Sequence, residues 1–591
     1  MSRRLSAVAA GALALVGEAC AQGYPSALLW GDAHVHTNRS LDAYRFDNRT
    51  VDADQVFRFA KGEPIVNPID GEVRRLSVPL DFAAVTDHAE FLGVPYDSGS
   101  ANRTSLESKT LIRALVDKGD YTAAYEQFAR AAGSSTASAG MVAQTASQTA
   151  WAALADSADR HNDPGRFTAI LGWEWTSRID GAVLHRVVLT DADAGKARIF
   201  APFSALWQRN PESLWAFLAR TRTQTGVDFI SIPHNSNLSN GLMFAPTRLN
   251  GNPLTAAIAQ RRSEFETVAE VVQYKGASET ATALSPADEF AGFEFYRRSE
   301  TPPPSRADYV RGALLTGIEQ APLLGVNPFK LGMIGSTDSH SGMPSAEEDN
   351  FTGHFALDSV YENRTIEADG GDGNALSGGG LAAVWARYNS RTEIMAALRR
   401  REVYATSGVR IKLRFFGGYD FVAADAAADD VAVVGYAKGV PMGGDLTRAA
   451  DSRAPRFLIS ATKDPRDGNL DRVQIVKGWL DGATAREKVF NVAWSGARTL
   501  GPNGALPPVG DTVNRATATY ENSIGAPALS AVWTDPEFDP SARAFYYVRV
   551  LQIPTPRRTL YEAVAHGDPP PEGRPETIQE RAWSSPIWYT P

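Results

Sequence analysis

Nine histidines are all that this chain of 591 residues contains, and six of them stand at or beside the ends of short apolar runs. The run from Ala27 ends in Asp32-Ala33-His34-Val35-His36, and the run from Leu80 ends in Asp87-His88. Phe167 to Trp175 carries Glu174, Leu184 to Thr190 opens with His185, and Val227 to Asn235 ends in His234. Val268 to Lys275 carries Glu270 and Lys275, and Leu331 to His340 closes on GSTDSH. Continuous apolar runs suit strands covered on both faces, as in a parallel sheet or barrel. Chemistry in such barrels gathers at the C-terminal strand ends, where these histidines fall.

Residues two apart on a strand share a face, so His34 and His36 can hold one ion together, and Asp338 with His340 repeats the arrangement. Glu174 has two oxygens and can bridge two ions. One such residue alone signals little, because a lone histidine is more often a hydrogen-bonded structural group. Six histidines with carboxylates at successive strand ends call for a metal cluster. His161, His354 and His566 lack that setting and read as non-ligands. Imidazole and carboxylate without thiolate suit Zn²⁺, Mn²⁺ or Fe²⁺.

The rest of the chain frames this cluster. Thr104 to Ala132 and Pro211 to Thr221 have helical spacing, and the long interval between His88 and Glu174 reads as a helical insertion. Ala368 to Gly380 is glycine-rich and reads as a mobile loop, followed by a short basic amphipathic helix from Arg391 to Arg401. After about residue 415, short strand-like runs separated by Gly, Pro, Asp and Asn indicate a β-sandwich or related all-β domain. The expected organisation is therefore a signal segment over 1–21, a metal-bearing α/β part over 22–415 and a β-rich part over 416–591. Arg3 and Arg4 precede an apolar run from Ala7 to Val16, with Ala19-Cys20-Ala21 as a cleavage site, so export to the periplasm or medium is expected. Two alternatives are a lipid anchor at Cys20 and a twin-arginine signal at Arg3-Arg4. No later run is long enough to span a membrane. A formal charge of −9 gives no broad field to attract nucleic acid.

GDAHVHT, AVTDHAEF, GWEWT with a following histidine, IPHN and GSTDSH stand in the order of the motifs of the PHP (polymerase and histidinol phosphatase) superfamily. The chain resembles that superfamily's large exported DUF3604 members, and RFAKGE, YATSGVRI, LDRVQIVKGW, YYVRVLQIPTPR and QERAWSSPIWY support the narrower likeness. The resemblance implies a distorted (β/α)7 barrel holding up to three metals. It places His34, His36, Glu174 and Asp338 at a first metal, and Glu174, His234 and His185 at a second. His88 and His340 fall to a third, with Asp42 as a further ligand. Asp42 departs from the usual pattern, because Leu41 intervenes and shifts the acidic residue by one position. Asp87 is an alternative as a group that orients a metal-bound histidine.

Clustered divalent ions make hydroxide available near neutral pH and neutralise phosphoryl charge. The resemblance implies phosphoester hydrolysis, and export with no run of basic residues for a dianionic monoester favours a small-molecule phosphodiester, with two or three ions, Mn²⁺ preferred and Zn²⁺ or Fe²⁺ as alternatives. Asp42, His185 or His340 can move protons. Lys275 can hold a phosphoryl oxygen or be salt-bridged at the rim, and Arg39 and Arg410 are candidate anion clamps. Trp173 and Trp175 read as packing groups. Alternatives are a phosphomonoesterase, a hydrolase of carboxylic ester, amide, carbamate or sulfate ester bonds, and a non-enzymatic exported metal-binding protein.

Overall fold

The computed structural model describes residues 23–94, 136–298, 301–366 and 372–591, the side chains of 136–144 excepted. The expected signal segment with Cys20, and the expected helical run Thr104 to Ala132, lie outside the described residues.

Seven strands surround the histidines: β1 (Ala27–Val35), β2 (Phe82–Val85), β3 (Thr168–Trp175), β4 (Arg186–Thr190), β5 (Phe229–Pro233), β6 (Val268–Gln273) and β7 (Gly332–Gly335). β1, β2 and β3 pair in parallel, as do β6 and β7. β4 departs from the all-parallel expectation, pairing antiparallel with both β3 and β5. The segment between Trp175 and Arg186 is too short for a crossover, so the chain must turn straight back. This reversal has a consequence for the site. Because β4 runs the other way, its first end lies at the rim where β3 finishes, which is why His185 opens its strand while the other histidines close theirs. A parallel bridge between Val35 and Ser339 links the β1 and β7 ends, and β6 lies against β5.

Helices cover the outer faces. α1 (Thr136–His161) packs Trp151 edge-on to Trp173 of β3, with ring centroids 5.7 Å apart. Trp173 and Trp175 are both fully buried, as expected of packing groups. α2 (Pro211–Thr225) begins where the Asn210 side chain accepts from Glu212 N–H and Pro211 presets the first turn; it stops at Gly226, whose φ of 69° is left-handed. The expected basic helix forms as α3 (Arg391–Arg400), capped by Ser390.

β8 (Leu381–Ala386) and β9 (Val403–Thr406) extend the sheet antiparallel from β1. Further along the chain, β10 (Lys412–Gly418), β11 (Arg456–Thr462) and β13 (Ala528–Thr534) form a second sheet, while β12 (Leu470–Asp481), β14 (Ala544–Gln552) and β15 (Arg581–Ser584) do not. They join the first sheet instead, through pairing of β9 with β15 and of β15 with β14. Hydrogen-bonded strands therefore cross residue 415 in one 13-stranded sheet. The two sheets share a core in which Phe457 and Tyr546 rings lie 4.4 Å apart.

Buried charge ties the two regions together. Glu279 and Asp288 meet Arg311 and Arg549 in one cluster, with Tyr547 and Trp583 also donating to Glu279. The described part of the glycine-rich loop is packed rather than mobile. Ser377 Oγ donates to Gln273 O at 2.7 Å, and Gly378 to Gly380 are buried. A Cβ on Gly380 would lie 2.6 Å from Val272 Cγ1 and 2.8 Å from Thr406 O, so glycine serves close approach of two strands there.

Candidate metal centre

Six histidines reach the centre from strand ends, and a neighbour holds the ring of four of them, His34, His36, His88 and His340. His34 sits on the last residues of β1 with its Nδ1 3.1 Å from Glu270 Oε2 of β6. A carboxylate only accepts, so the ring hydrogen belongs on Nδ1 and the lone pair on Nε2. His36 Nδ1 lies 2.8 Å from Ser40 Oγ, and His88 Nδ1 pairs with Thr176 Oγ1. His340 Nδ1 faces the Asp338 carbonyl at 2.9 Å, again leaving Nε2 to point inward.

The inward atoms converge. His34 Nε2 and His36 Nε2 are 3.2 Å apart. Glu174 Oε2 is 3.5 and 3.2 Å from them, and Asp338 Oδ1 is 3.1 and 3.3 Å from them. An ion with four tetrahedral ligands at about 2.0–2.1 Å separates its ligand atoms by roughly 3.3–3.4 Å. The donor set and its spacing fit a divalent ion. Three further groups have ligand atoms within 4.8 Å of one another: Glu174 with His185 and His234, His36 with Asp42, His88 and His340, and Asp338 with His340 and His354. Glu174 Oε1 is 2.6 Å from His185 Nδ1 and 3.1 Å from His234 Nε2, so its two oxygens serve two different groups.

Asp42 lies in a short helix, Leu41–Arg45, that opens directly after the histidine pair. The extra residue does not displace it. Its Oδ2 is 2.9 Å from His88 Nε2 and 3.0 Å from His340 Nε2. Burial alone would raise these carboxyls, yet the surrounding imidazoles hold Glu174 and Asp42 well below the usual carboxylate range, and His34 with Lys275 does the same for Asp338. Burial pushes the His185 ring down to about 3.

Backbone strain helps to aim the donors. Asp338 and Asn235 adopt φ of 60° and 51°, conformations that cost a non-glycine residue of order 1–3 kcal/mol and are held by the surroundings. Asp338 Oδ2 accepts from Lys275 Nζ at 2.7 Å and Gln273 Nε2 at 2.9 Å. Of the two readings of Lys275, the salt bridge is the contact observed. Arg39 is half-buried on the loop after His36, its backbone N–H on Thr37 Oγ1. Arg410 donates instead to the carbonyls of Val78 and Pro79, and neither partner belongs to the histidine cluster.

One residue differs from the sequence reading, and three more act at the site. Asp87 orients no imidazole; it accepts from Thr37 N–H at 2.6 Å and Thr37 Oγ1 at 2.8 Å, pinning the turn after His36. Glu270 takes the orienting role for His34. Asp32, in the same motif, accepts from His34 N–H and from Thr337 Oγ1, tying β1 to the β7 end, and burial pushes its carboxyl up to about 7. His354, read as a non-ligand, is buried beside His340 with ring centroids 4.7 Å apart. Its setting in FTGHF carries no strand-end signal, so only the folded loop brings it in.

Among solved structures, the chain is similar to a two-domain protein from Bacteroides vulgatus ATCC 8482 described as containing a predicted PHP-like metal-dependent phosphoesterase. The identity is 12%, the match covers 90% of this chain and 92% of that one, and the TM-score is 0.29. No curated protein matches the chain. Residues 24–591 match the family described as "Protein of unknown function (DUF3604)", and with nearly its whole length so matched the chain belongs to that family.

Proposed function

We propose that the chain is an exported metal-dependent phosphoesterase that cleaves phosphodiesters of small molecules. Two or three divalent ions, Mn²⁺ first and Zn²⁺ or Fe²⁺ next, are held by His34, His36, Asp42, His88, Glu174, His185, His234, Asp338 and His340. A distorted (β/α)7 barrel and a β-rich region from residue 416 belong to the same reading, and export rests on the segment before residue 22. The observation that carries the proposal is the convergence of His34 Nε2, His36 Nε2, Glu174 Oε2 and Asp338 Oδ1 at ligand spacing.

Divalent ions in such a set supply an activated water and neutralise charge on a phosphoryl group. The chain's own residues do the rest. Glu270 and the Asp338 carbonyl fix ring hydrogens so that His34 and His340 present lone pairs inward. Asp42, with its side chain 30% exposed, is the most open of the cluster's carboxylates, and its neighbouring imidazoles keep it ionised as a ligand. Lys275 donates to Asp338 Oδ2 at 2.7 Å, at the edge a phosphoryl oxygen would approach.

The test is turnover by the purified protein supplied with Mn²⁺ or Zn²⁺, comparing an aryl phosphodiester, an aryl phosphomonoester and an aryl carboxylic ester. His34→Ala and a chelated sample run alongside. Diester cleavage lost in both controls supports the proposal. Binding of two or more ions without phosphoester cleavage would sink it and turn attention to esters, amides and sulfates.

A further inference from the structure

His354 is 2% exposed, and neither of its ring nitrogens has a hydrogen-bond partner. Leaving buried polar atoms unpaired is costly, so such a ring in a folded protein calls for a partner that arrives from outside. The ring is held firmly in place. Its backbone carbonyl accepts from His340 N–H at 2.7 Å and Ser341 N–H at 3.1 Å. The rings of Phe355 and Tyr274 pack on it with centroids 4.2 and 5.9 Å away.

The neighbouring donor atoms are already engaged. Asp338 directs Oδ1 to His34 and His36 and gives Oδ2 to Lys275 and Gln273. His340 turns Nδ1 to a backbone carbonyl and Nε2 to Asp42. His354 lies within 4.8 Å of both, but Asp338 Oδ1 and His340 Nε2 are the atoms already given to the ions of the proposed cluster, so an ion cage with His354 would have to share them.

We infer that His354 is a substrate-binding residue, donating a ring N–H to a phosphoryl oxygen of the phosphoester held beside Asp338, His340 and Lys275. An imidazole carries at least one N–H whether neutral or charged, so this contact does not depend on its protonation. The inference rests on the phosphoesterase reading above and names a residue outside the nine proposed metal ligands.

The experiment compares wild type, His354→Gln and His354→Ala as full-length, metal-loaded proteins. Three quantities are measured: ions bound per chain by elemental analysis, affinity for inorganic phosphate by calorimetry, and kcat and KM for the aryl phosphodiester. A hydrogen bond to a charged acceptor implies about a tenfold loss of phosphate affinity in His354→Ala, with KM raised in step. His354→Gln, which keeps an N–H donor, is expected to recover part of that loss, and ion content is expected to equal wild type in both. Loss of an ion on substitution would make His354 a metal ligand and overturn the inference. Unchanged phosphate affinity and KM, in a wild type that does bind phosphate and cleave the diester, would overturn it while leaving the phosphoesterase reading intact. A metal-loaded wild type that neither binds phosphate nor cleaves any phosphoester defeats both.

Discussion

His34 Nε2 and His36 Nε2 face each other across 3.2 Å, a spacing that fits two ligands of one ion. Glu174 and Asp338 approach the same point from two other segments, so three chain segments meet at one position suited to an ion. Ion binding at this point should therefore be sensitive to whatever orients those rings.

Glu270 fixes His34 without reaching the shared point itself. Glu270→Gln is expected to weaken metal affinity by roughly 10–100-fold, with the fold retained, because a neutral amide, which can also turn its donor to the ring, replaces the charged acceptor that sets the ring's tautomer. Competition against a metal chelator, with circular dichroism as the control for folding, measures this. An affinity equal to wild type would remove Glu270 from the site.

Glu174 gives one oxygen to each of two groups. Glu174→Ala should accordingly lower the bound metal by more than one ion per chain, whereas His234→Ala should cost at most one. Elemental analysis of the two variants decides between a shared bridge and independent sites.

The Glu279, Asp288, Arg311 and Arg549 cluster predicts acid sensitivity. Burial alone would raise Glu279, but Arg549 and Arg311 pull it from an ordinary 4.5 down to about 2, and they depress Asp288 in the same way. A depressed folded value contributes stability that is fully present above the unfolded value and is lost as pH falls through the folded one. Stability should drop between about pH 4.5 and about pH 2. Glu279→Gln should remove part of that dependence and cost about 3 kcal/mol or more at neutral pH, since a buried guanidinium loses a partner. Denaturant unfolding across the pH range reads both effects.

A fragment ending at residue 415 should not behave as an independent unit. It would leave β9 without its partner β15, exposing the hydrogen-bonding edge of a fully buried strand. Expression of 24–415 is expected to give aggregated protein, and co-expression with 416–591 to restore solubility. A soluble, metal-binding 24–415 fragment would contradict this.

Gly380→Val tests the packed loop. The added atoms would press on Val272 and the Thr406 carbonyl, with a stability loss of about 1–3 kcal/mol or more by denaturant titration. A mobile loop would show no change.

The sequence by itself placed the strands and their chemistry. Apolar runs of four to nine residues, as β2 and β1 turned out to be, can hide both faces only inside a sheet, and a polar residue at a run's end must lie at the sheet's rim. That local rule singled out His34, His36, His88, Glu174, His185, His234, Asp338 and His340 before any contact was known. Tertiary structure alone decided what the rule cannot express. The return of β4 is set by the length of one connection, and it explains the inverted place of His185. Glu270 and Asp32 act through partners more than 230 positions away, and His354 enters the site on a loop with no periodic signal. The same limit holds for the sheet whose strands come from both sides of residue 415. Turn composition marks where strands stop, whereas the pairing of β9 with β15 joins residues 180 positions apart, and such register is written only in the packed core.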